Sequence, residues 1–283
     1  MVLPKIKSLI ILLCLASIAY GQSQDVGKTF YDTRIVNGHS VETNNEGVLK
    51  MVISHRFGRV NGGFYELFGL DASTIRLGFD YGVKNWLTVG IGRSSFEKTL
   101  DGFVKAKILK QRKGEKPFPV TITALAGMSA NGLRFRDPSR ENYFTSRLFY
   151  NYGLLIARRF GDRFSLQLMP SMVHRNLVAT AAERHDVFAL GTAFRFLVTK
   201  RFTLTAEYYF TFPNQLASQY KNSLSIGMDI ETKGHVFQFH VSNSRGMMEK
   251  FFISETTGDW LNGDIHIGFN ISRDFKIAGR KHK

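Results

Sequence analysis

The chain has 283 residues, with Lys+Arg 38 against Asp+Glu 23 and a formal net charge of +15. Its mean hydropathy of -0.13 is too low for a bundle of membrane-spanning helices, and 13% aromatic residues is too many for a disordered chain. Phe 25 and Gly 26 against Pro 6 is the profile of a β-protein.

Residues 1–21 read as a secretory signal peptide. Lys5 and Lys7 supply the positive start, Ser8 to Ile18 an apolar core too short to span a bilayer, and Ala19-Tyr20-Gly21 the small-residue cleavage site. The one cysteine, Cys14, lies in that core behind Leu13, which is not the small residue a lipoprotein site needs. The mature chain is therefore expected to have no disulfide and no thiolate metal site. Residues 22–46 are polar and unpatterned except at Arg34-Ile35-Val36. They are expected to form a periplasmic arm or a lumen plug.

From residue 47 to 277 apolar residues recur with period two, the mark of strands with one apolar face. In Thr74 to Val83 that face is Ile75, Leu77, Phe79, Tyr81 and Val83; Thr74, Arg76, Gly78, Asp80 and Gly82 face the other way. In Phe202 to Phe212 the even positions are apolar and oppose Thr203, Thr205, Glu207, Tyr209 and Thr211. Strands are expected near 47–57, 73–83, 86–94, 99–110, 119–129, 143–158, 163–173, 186–198, 201–212, 223–231, 234–242 and 263–275. Most exceed the roughly five or six residues usual in soluble sheets. They suit the roughly nine to eleven that a tilted strand needs to cross a bilayer.

The connections alternate in length. Val83 to Trp86, Arg159 to Arg163, Thr199 to Arg201 and Thr232 to Gly234 are tight; Gly58 to Ala72, Ala130 to Asn142, His174 to His185, Pro213 to Asn222 and Asn243 to Trp260 are long. This is the phase of an outer-membrane barrel with short periplasmic turns and long extracellular loops. Two joints break it: Ser95 to Lys98 is short where a long loop is due, and Gln111 to Phe118 is long where a turn is due. Aromatic residues such as Tyr81, Trp86, Phe160, Phe164, Phe196 and Phe202 gather at strand ends, as in interfacial girdles. Asn176 to Arg184 has the composition of a short helix, and 278–283 is a basic tail. The expected fold is all-β: a single antiparallel transmembrane β-barrel of about twelve strands, integral to the outer membrane.

The chain resembles a family of Gram-negative outer-membrane β-barrels known as a domain of unknown function. The likeness runs over the mature chain. It is carried by Thr33-Arg34-Ile35-Val36-Asn37-Gly38-His39-Ser40, Ser54-His55-Arg56-Phe57-Gly58, Phe237-Gln238-Phe239-His240-Val241-Ser242-Asn243-Ser244 and the closing strand from Gly263 to Ile277. The resemblance implies fold and location. It implies no catalytic or binding residue.

The polar faces place Lys50, Arg56, Arg76, Lys105, Lys107, Arg147 and Arg195 in the lumen, with Asp80, Asp101, Glu207, Asp229, Glu231, Asp264 and Asp274. Such a balance suits a network of paired charges, or a path for small polar solutes, better than an anion filter, which needs one sign at a constriction. His240 and His266 fall on polar faces near Ser242, Asp264 and Gln238. Catalytic or metal readings of that group lack a tight motif, and ordinary lumen hydrogen bonding is the expectation. Gly90-Ile91-Gly92 lacks the third glycine of a dinucleotide site, and no P-loop, Gly-x-Ser-x-Gly or His-Glu-x-x-His occurs. No enzyme activity, cofactor, metal or nucleic-acid partner is expected.

Arg134, Arg136, Arg140, Arg175 and Arg184 in outer loops are candidate contacts for lipopolysaccharide phosphates. Basic residues at the other end, including Arg112, Lys113, Arg159 and Arg201, are candidates for lipid headgroups or a periplasmic or outer-membrane protein partner. The functional expectation is a narrow pore or uptake channel for small polar solutes; the alternative is a non-conducting scaffold or accessory subunit of an envelope complex. Strand alignment also predicts a seam cluster, with Lys50 flanked by the carboxylates of Asp80 and Asp274.

Overall fold

The computed structural model describes residues 24–277 apart from Arg136, Ala182 and Lys233. The signal peptide and basic tail expected from the sequence lie outside the described residues.

The described strands, in chain order, are β1 (Gln24–Asp25), β2 (Val48–Arg59), β3 (Ser73–Lys84), β4 (Leu87–Ser94), β5 (Leu100–Leu109), β6 (Arg112–Lys113), β7 (Thr121–Ala130), β8 (Leu148–Phe160), β9 (Phe164–Arg175), β10 (Asp186–Leu197), β11 (Phe202–Thr211), β12 (Ser223–Thr232), β13 (His235–Ser242) and β14 (His266–Lys276). All but β1 and β6 close into one antiparallel barrel, in which β14 returns to pair with β2. Closure leaves no unpaired strand edge, which is what a sheet surrounded by hydrocarbon requires.

Period two decides which side chain faces which solvent. In β3, Thr74, Arg76 and Asp80 are buried while Ile75, Leu77 and Phe79 are exposed. The apolar face therefore points outward, the reverse of a soluble sheet, and only a lipid surround makes that favourable. Trp86, Phe160, Phe164, Phe196, Phe210 and Phe212 are exposed near strand ends, at girdle level.

Two local readings are corrected by the structure. Residues 144–147 form a 3-10 turn before β8 rather than its first residues. Asn176 to Arg184 is turns and bends, with no helix among the described residues. A segment this short is marginal as a helix without an apolar face to pack; here Arg175 and Glu183 pair at 2.7 Å and fix the loop instead. The one described α-helix, α1 (Glu249–Ser254), lies in the long outer loop before β14, where Phe251, Phe252 and Ile253 are buried in the barrel mouth.

The over-long periplasmic joint also has a structural reason. Its residues Arg112 and Lys113 form β6, which pairs with β1 at the barrel's periplasmic end. The joint is long because it supplies a strand for the N-terminal arm.

The barrel interior is a filled core with two characters. Around β8, β9 and β10 lies an apolar cluster: Leu155, Met169, Val173, Val187, Ala189 and Ala193 pack with Phe30, Ile35 and Val41 of the arm and with Phe252 and Ile253 of α1. Strand β10 is thus apolar on both faces from Val187 to Phe194 except at Thr192, and turns polar inward at Arg195. The opposite wall, built from β2 to β5 and β11 to β14, is polar and charged.

Candidate functional site: the plugged lumen

The N-terminal arm enters at the periplasmic end, climbs into the lumen, turns, and descends to start β2. Val26 N–H donates to Gln111 O at 3.1 Å and Lys110 pairs with Asp25 at 2.8 Å at the mouth. The turn is Ile35 to Gly38. It is closed by Ile35 N–H to Gly38 O at 2.9 Å and Ser40 N–H to Thr33 O at 3.0 Å.

The strands bind this arm through side chains. The Glu207 carboxylate of β11 accepts three successive backbone N–H groups, from Val36 at 3.3 Å, Asn37 at 2.7 Å and Gly38 at 3.0 Å. Successive N–H groups turned to one side form an anion-binding concavity, and here the anion comes from the barrel wall. Arg56 Nη2 donates to Asn37 Oδ1 at 2.8 Å and lies 2.9 Å from His240 Nε2; its other terminal nitrogen bonds Ser244 O. Gln238 Nε2 donates to Ile35 O at 2.8 Å, Asn270 Nδ2 to Val36 O at 2.9 Å, and Lys105 Nζ to Thr33 O and Ser40 O, both at 3.2 Å. Gln167 holds both sides of the descending limb: Val41 N–H donates to its Oε1 and its Nε2 donates to His39 O, each at 2.8 Å. Inward Gln, Asn, Glu and Lys side chains thus take the place of a neighbouring strand for these backbone groups of the arm.

The outer stopper meets the arm inside. Glu249 of α1 lies 3.7 Å from His39 Nε2 and 4.0 Å from Arg34. Burial raises the Glu249 carboxyl above the ordinary range, and Arg34 opposes that shift. Lys250 binds Glu97 at 2.7 Å and Glu255 at 3.0 Å. The short outer joint at Ser95 to Lys98 thus contributes a carboxylate that anchors the loop.

The remaining sequence-derived lumen residues divide. Arg76 pairs with Asp101, Lys107 with Glu42 at 3.4 Å, and Asp229 accepts from Gln238 at 3.1 Å. Arg195 lies over the Tyr31 ring at 5.3 Å, and Glu231 is 4.0 Å from Lys28 at the periplasmic end. His266 Nδ1 is 2.9 Å from Phe57 O. Two residues are misplaced by the sequence reading. Arg147 lies in the outer loop, bonded to Asn131 O and stacked on Phe135, because the strand begins one residue after it. Asp264 lies before β14 at the outer rim, paired with Arg59 at 2.9 Å.

The seam cluster is half corrected. Lys50 is in register with both Asp80 and Asp274, as expected. Its ammonium pairs with Asp274 at 2.7 Å, but its second partner is Asp32 of the arm at 2.8 Å. Both carboxylate oxygens of Asp80 lack a hydrogen bond among the described residues. The arm threads past this wall and brings its own carboxylate to Lys50.

Among the candidate lipopolysaccharide contacts, Arg134, Arg140 and Arg184 are exposed. Arg175 is buried at 3% exposure and bound to Glu183, so it is not available to a surface phosphate. Arg136 lies outside the described residues. Ser242 Oγ bonds Ser225 Oγ at 2.9 Å while His240 contacts Arg56, so no Ser–His pair forms there among the described residues. Nor, among them, is any group of three His, Cys, Asp or Glu side chains placed to hold a metal ion.

Sequence reasoning missed Asp32, Asn37, Gln167 and Glu249. One signal was present: Asn-Gly at 37 and 38, after Ile35-Val36, is turn chemistry.

The family model described as "Membrane bound beta barrel domain (DUF5777)" matches residues 30–275, taking in the plug as well as the barrel. Among solved structures the chain is similar to the NanC porin, at 9% identity and a TM-score of 0.50 over 81% of this chain and 99% of that one. It is also similar to the KdgM porin (10%, 0.48, 81% and 99%) and to the COG4313 outer membrane channel from Pseudomonas putida F1 (12%, 0.48, 83% and 98%). No curated protein sequence matches it. At these identities the likeness speaks to fold alone, and NanC agrees with the closed barrel described above. With closure, an apolar outer wall and a family match over most of its length, the chain belongs to this membrane-bound β-barrel family and is an integral barrel of the Gram-negative outer membrane.

Proposed function

We propose that this barrel is a narrow channel for small polar solutes that its own arm and outer loop hold shut. The supporting observation is the order of spaces along the axis. An outer cavity of about 720 Å³ is lined by Arg59, Glu97, Tyr220, Arg245, Glu255 and His266, among others. A periplasmic cavity of about 520 Å³ is lined by residues including Asp25, Lys28, Glu42, Asn45, Lys107 and Lys110. Between them the stoppers leave a void of about 10 Å³ beside Arg34, His39 and Glu249, room for about one water. Both linings mix charges of each sign, which suits small polar solutes over ions of one sign. The polar part of the obstruction is an arm held by side chains whose bonds water can replace.

The second reading is a non-conducting scaffold or accessory subunit. The apolar cluster joining arm, wall and α1 favours it, because passage of a polar solute has no use for such a core. Single-channel current in planar bilayers separates the two. The intact chain should show rare, brief openings, and a folded variant lacking residues 30–41 should pass steady current. A folded shortened barrel that stays silent would overturn the channel reading in favour of the scaffold.

A further inference from the structure

We propose that a groove on the lipid-facing wall of β4, β5 and β7 seats one acyl chain of a phosphorylated outer-leaflet glycolipid, with Arg93 and Lys98 holding its phosphate. The site does not depend on whether the lumen conducts.

The groove follows from register. One outward row runs Leu77, Arg93, Leu100, Ala130, Leu148 across neighbouring strands; the row below it, toward the bilayer centre, runs Phe79, Ile91, Gly102, Met128. Gly102 is a hole in a wall of large side chains. The backbone does not demand glycine there: an added Cβ would meet nothing nearer than Gly90 O at 3.5 Å. Gly102 forms part of the floor of an apolar groove of about 620 Å³, walled by Ile91, Leu100, Met128, Phe144 and Leu148. Hydrocarbon is the medium at this depth, and a chain lying in the hole regains the contacts that the glycine omits.

The charge above the groove selects the headgroup. Arg93 faces outward one residue from the outer end of β4 and is exposed. Its guanidinium donates to Lys98 O at 3.3 Å. Glu97 and Lys98 both sit at φ 51, an αL turn that brings the Lys98 backbone to Arg93. Arg134 and Arg140, also exposed, rise from the next outer loop. Cations at the rim above an apolar slot match a phosphate above an acyl chain, and the outer end of the barrel places that lipid in the outer leaflet.

The test uses the delipidated full-length barrel and lipid A, with dephosphorylated lipid A and phosphatidylglycerol as the competing sources. Lipid retained per barrel is read by native mass spectrometry, and folding by heat-modifiable gel migration. Wild type should retain lipid A, and each competitor should bind at least about ten-fold more weakly. Gly102→Leu, which fills the groove, and the pair Arg93→Gln with Lys98→Gln should each weaken lipid A by a similar factor while remaining folded. If Gly102→Leu fails to fold, the paired surface variant and the two competitors decide. Equal binding of either competitor overturns the proposal. So does unchanged binding by either folded variant, because the site needs both its groove and its cations.

Discussion

The two stoppers of this barrel fill the same lumen by different physics. The arm offers backbone groups to polar side chains: Lys105, Gln167, Glu207, Gln238 and Asn270 each bond it directly. The outer loop offers side chains, with Phe251, Phe252 and Ile253 fully buried and Lys250 as its ionic anchor. Buried hydrogen bonds contribute about 0.5–1.5 kcal/mol net each, because water competes for the same groups. Burying a large apolar side chain contributes about 1.5–3 kcal/mol, and water offers nothing in return. Release of the arm would return that wall to water but would also expose Phe30, Ile35 and Val41, which share a core with Phe252 and Ile253 of the loop.

The largest expected effect is all-or-none and concerns which stopper faces which compartment. A protease site inserted near Pro138 should be cut on intact cells, and one near Asp162 should be protected until the outer membrane is opened. Cutting at Asp162 with an unbroken membrane would invert the assignment of arm and loop.

Next is the loop's apolar grip. Phe252→Ala should lower barrel stability by about 3–5 kcal/mol in denaturant titrations of the detergent-solubilised protein, while the arm keeps its protease protection. A drop below about 1 kcal/mol would mean the loop does not depend on that contact.

The arm's latch comes third. Glu207→Ala leaves three N–H groups of the turn without their acceptor, at about 1.5–3 kcal/mol for a charged hydrogen-bonding partner. Periplasmic protease should then cut within residues 30–41 while outer-loop sites are unaffected. If the arm stays as resistant as in the wild type, the grip lies elsewhere along it.

A control in the opposite direction sets the floor. Lys84 pairs with Glu46 at 2.8 Å, but both side chains are more than half exposed. Lys84→Ala should change stability by no more than about 1 kcal/mol and leave the arm seated.

The filled lumen also alters what a substitution on the inner face does. Leu204→Arg puts a charge against lipid, at about 2–4 kcal/mol near the midplane. From the alternation alone, Thr205→Arg, one residue along, reads as the milder change, into a polar interior. In the structure Thr205 is buried at 1% exposure, so an arginine there collides with a packed plug, and overpacking costs about 1–3 kcal/mol or more. Comparable unfolding midpoints for the two variants are the expected outcome.

The amino-acid sequence by itself determined the barrel. Alternation at Ile75, Leu77 and Phe79 against Arg76 and Asp80 is a local property, and lipid reads it strand by strand. Loop lengths set the topology, and the register of Lys50 with Asp80 and Asp274 followed from turn symmetry. Only the tertiary structure decided what fills the lumen. Asp32, rather than Asp80, completes the Lys50 pair because the arm passes between the walls. The polar arm carries no period that could announce its partners, and nothing local to β10 says that its inward Val187, Ala189 and Ala193 join a core with Phe30, Ile35 and Phe252 from elsewhere in the chain. Strand alternation distinguishes lipid from lumen. It does not distinguish a lumen full of water from one packed with the protein's own residues, because both accept a polar face, and closing the barrel around a particular segment is what separates them.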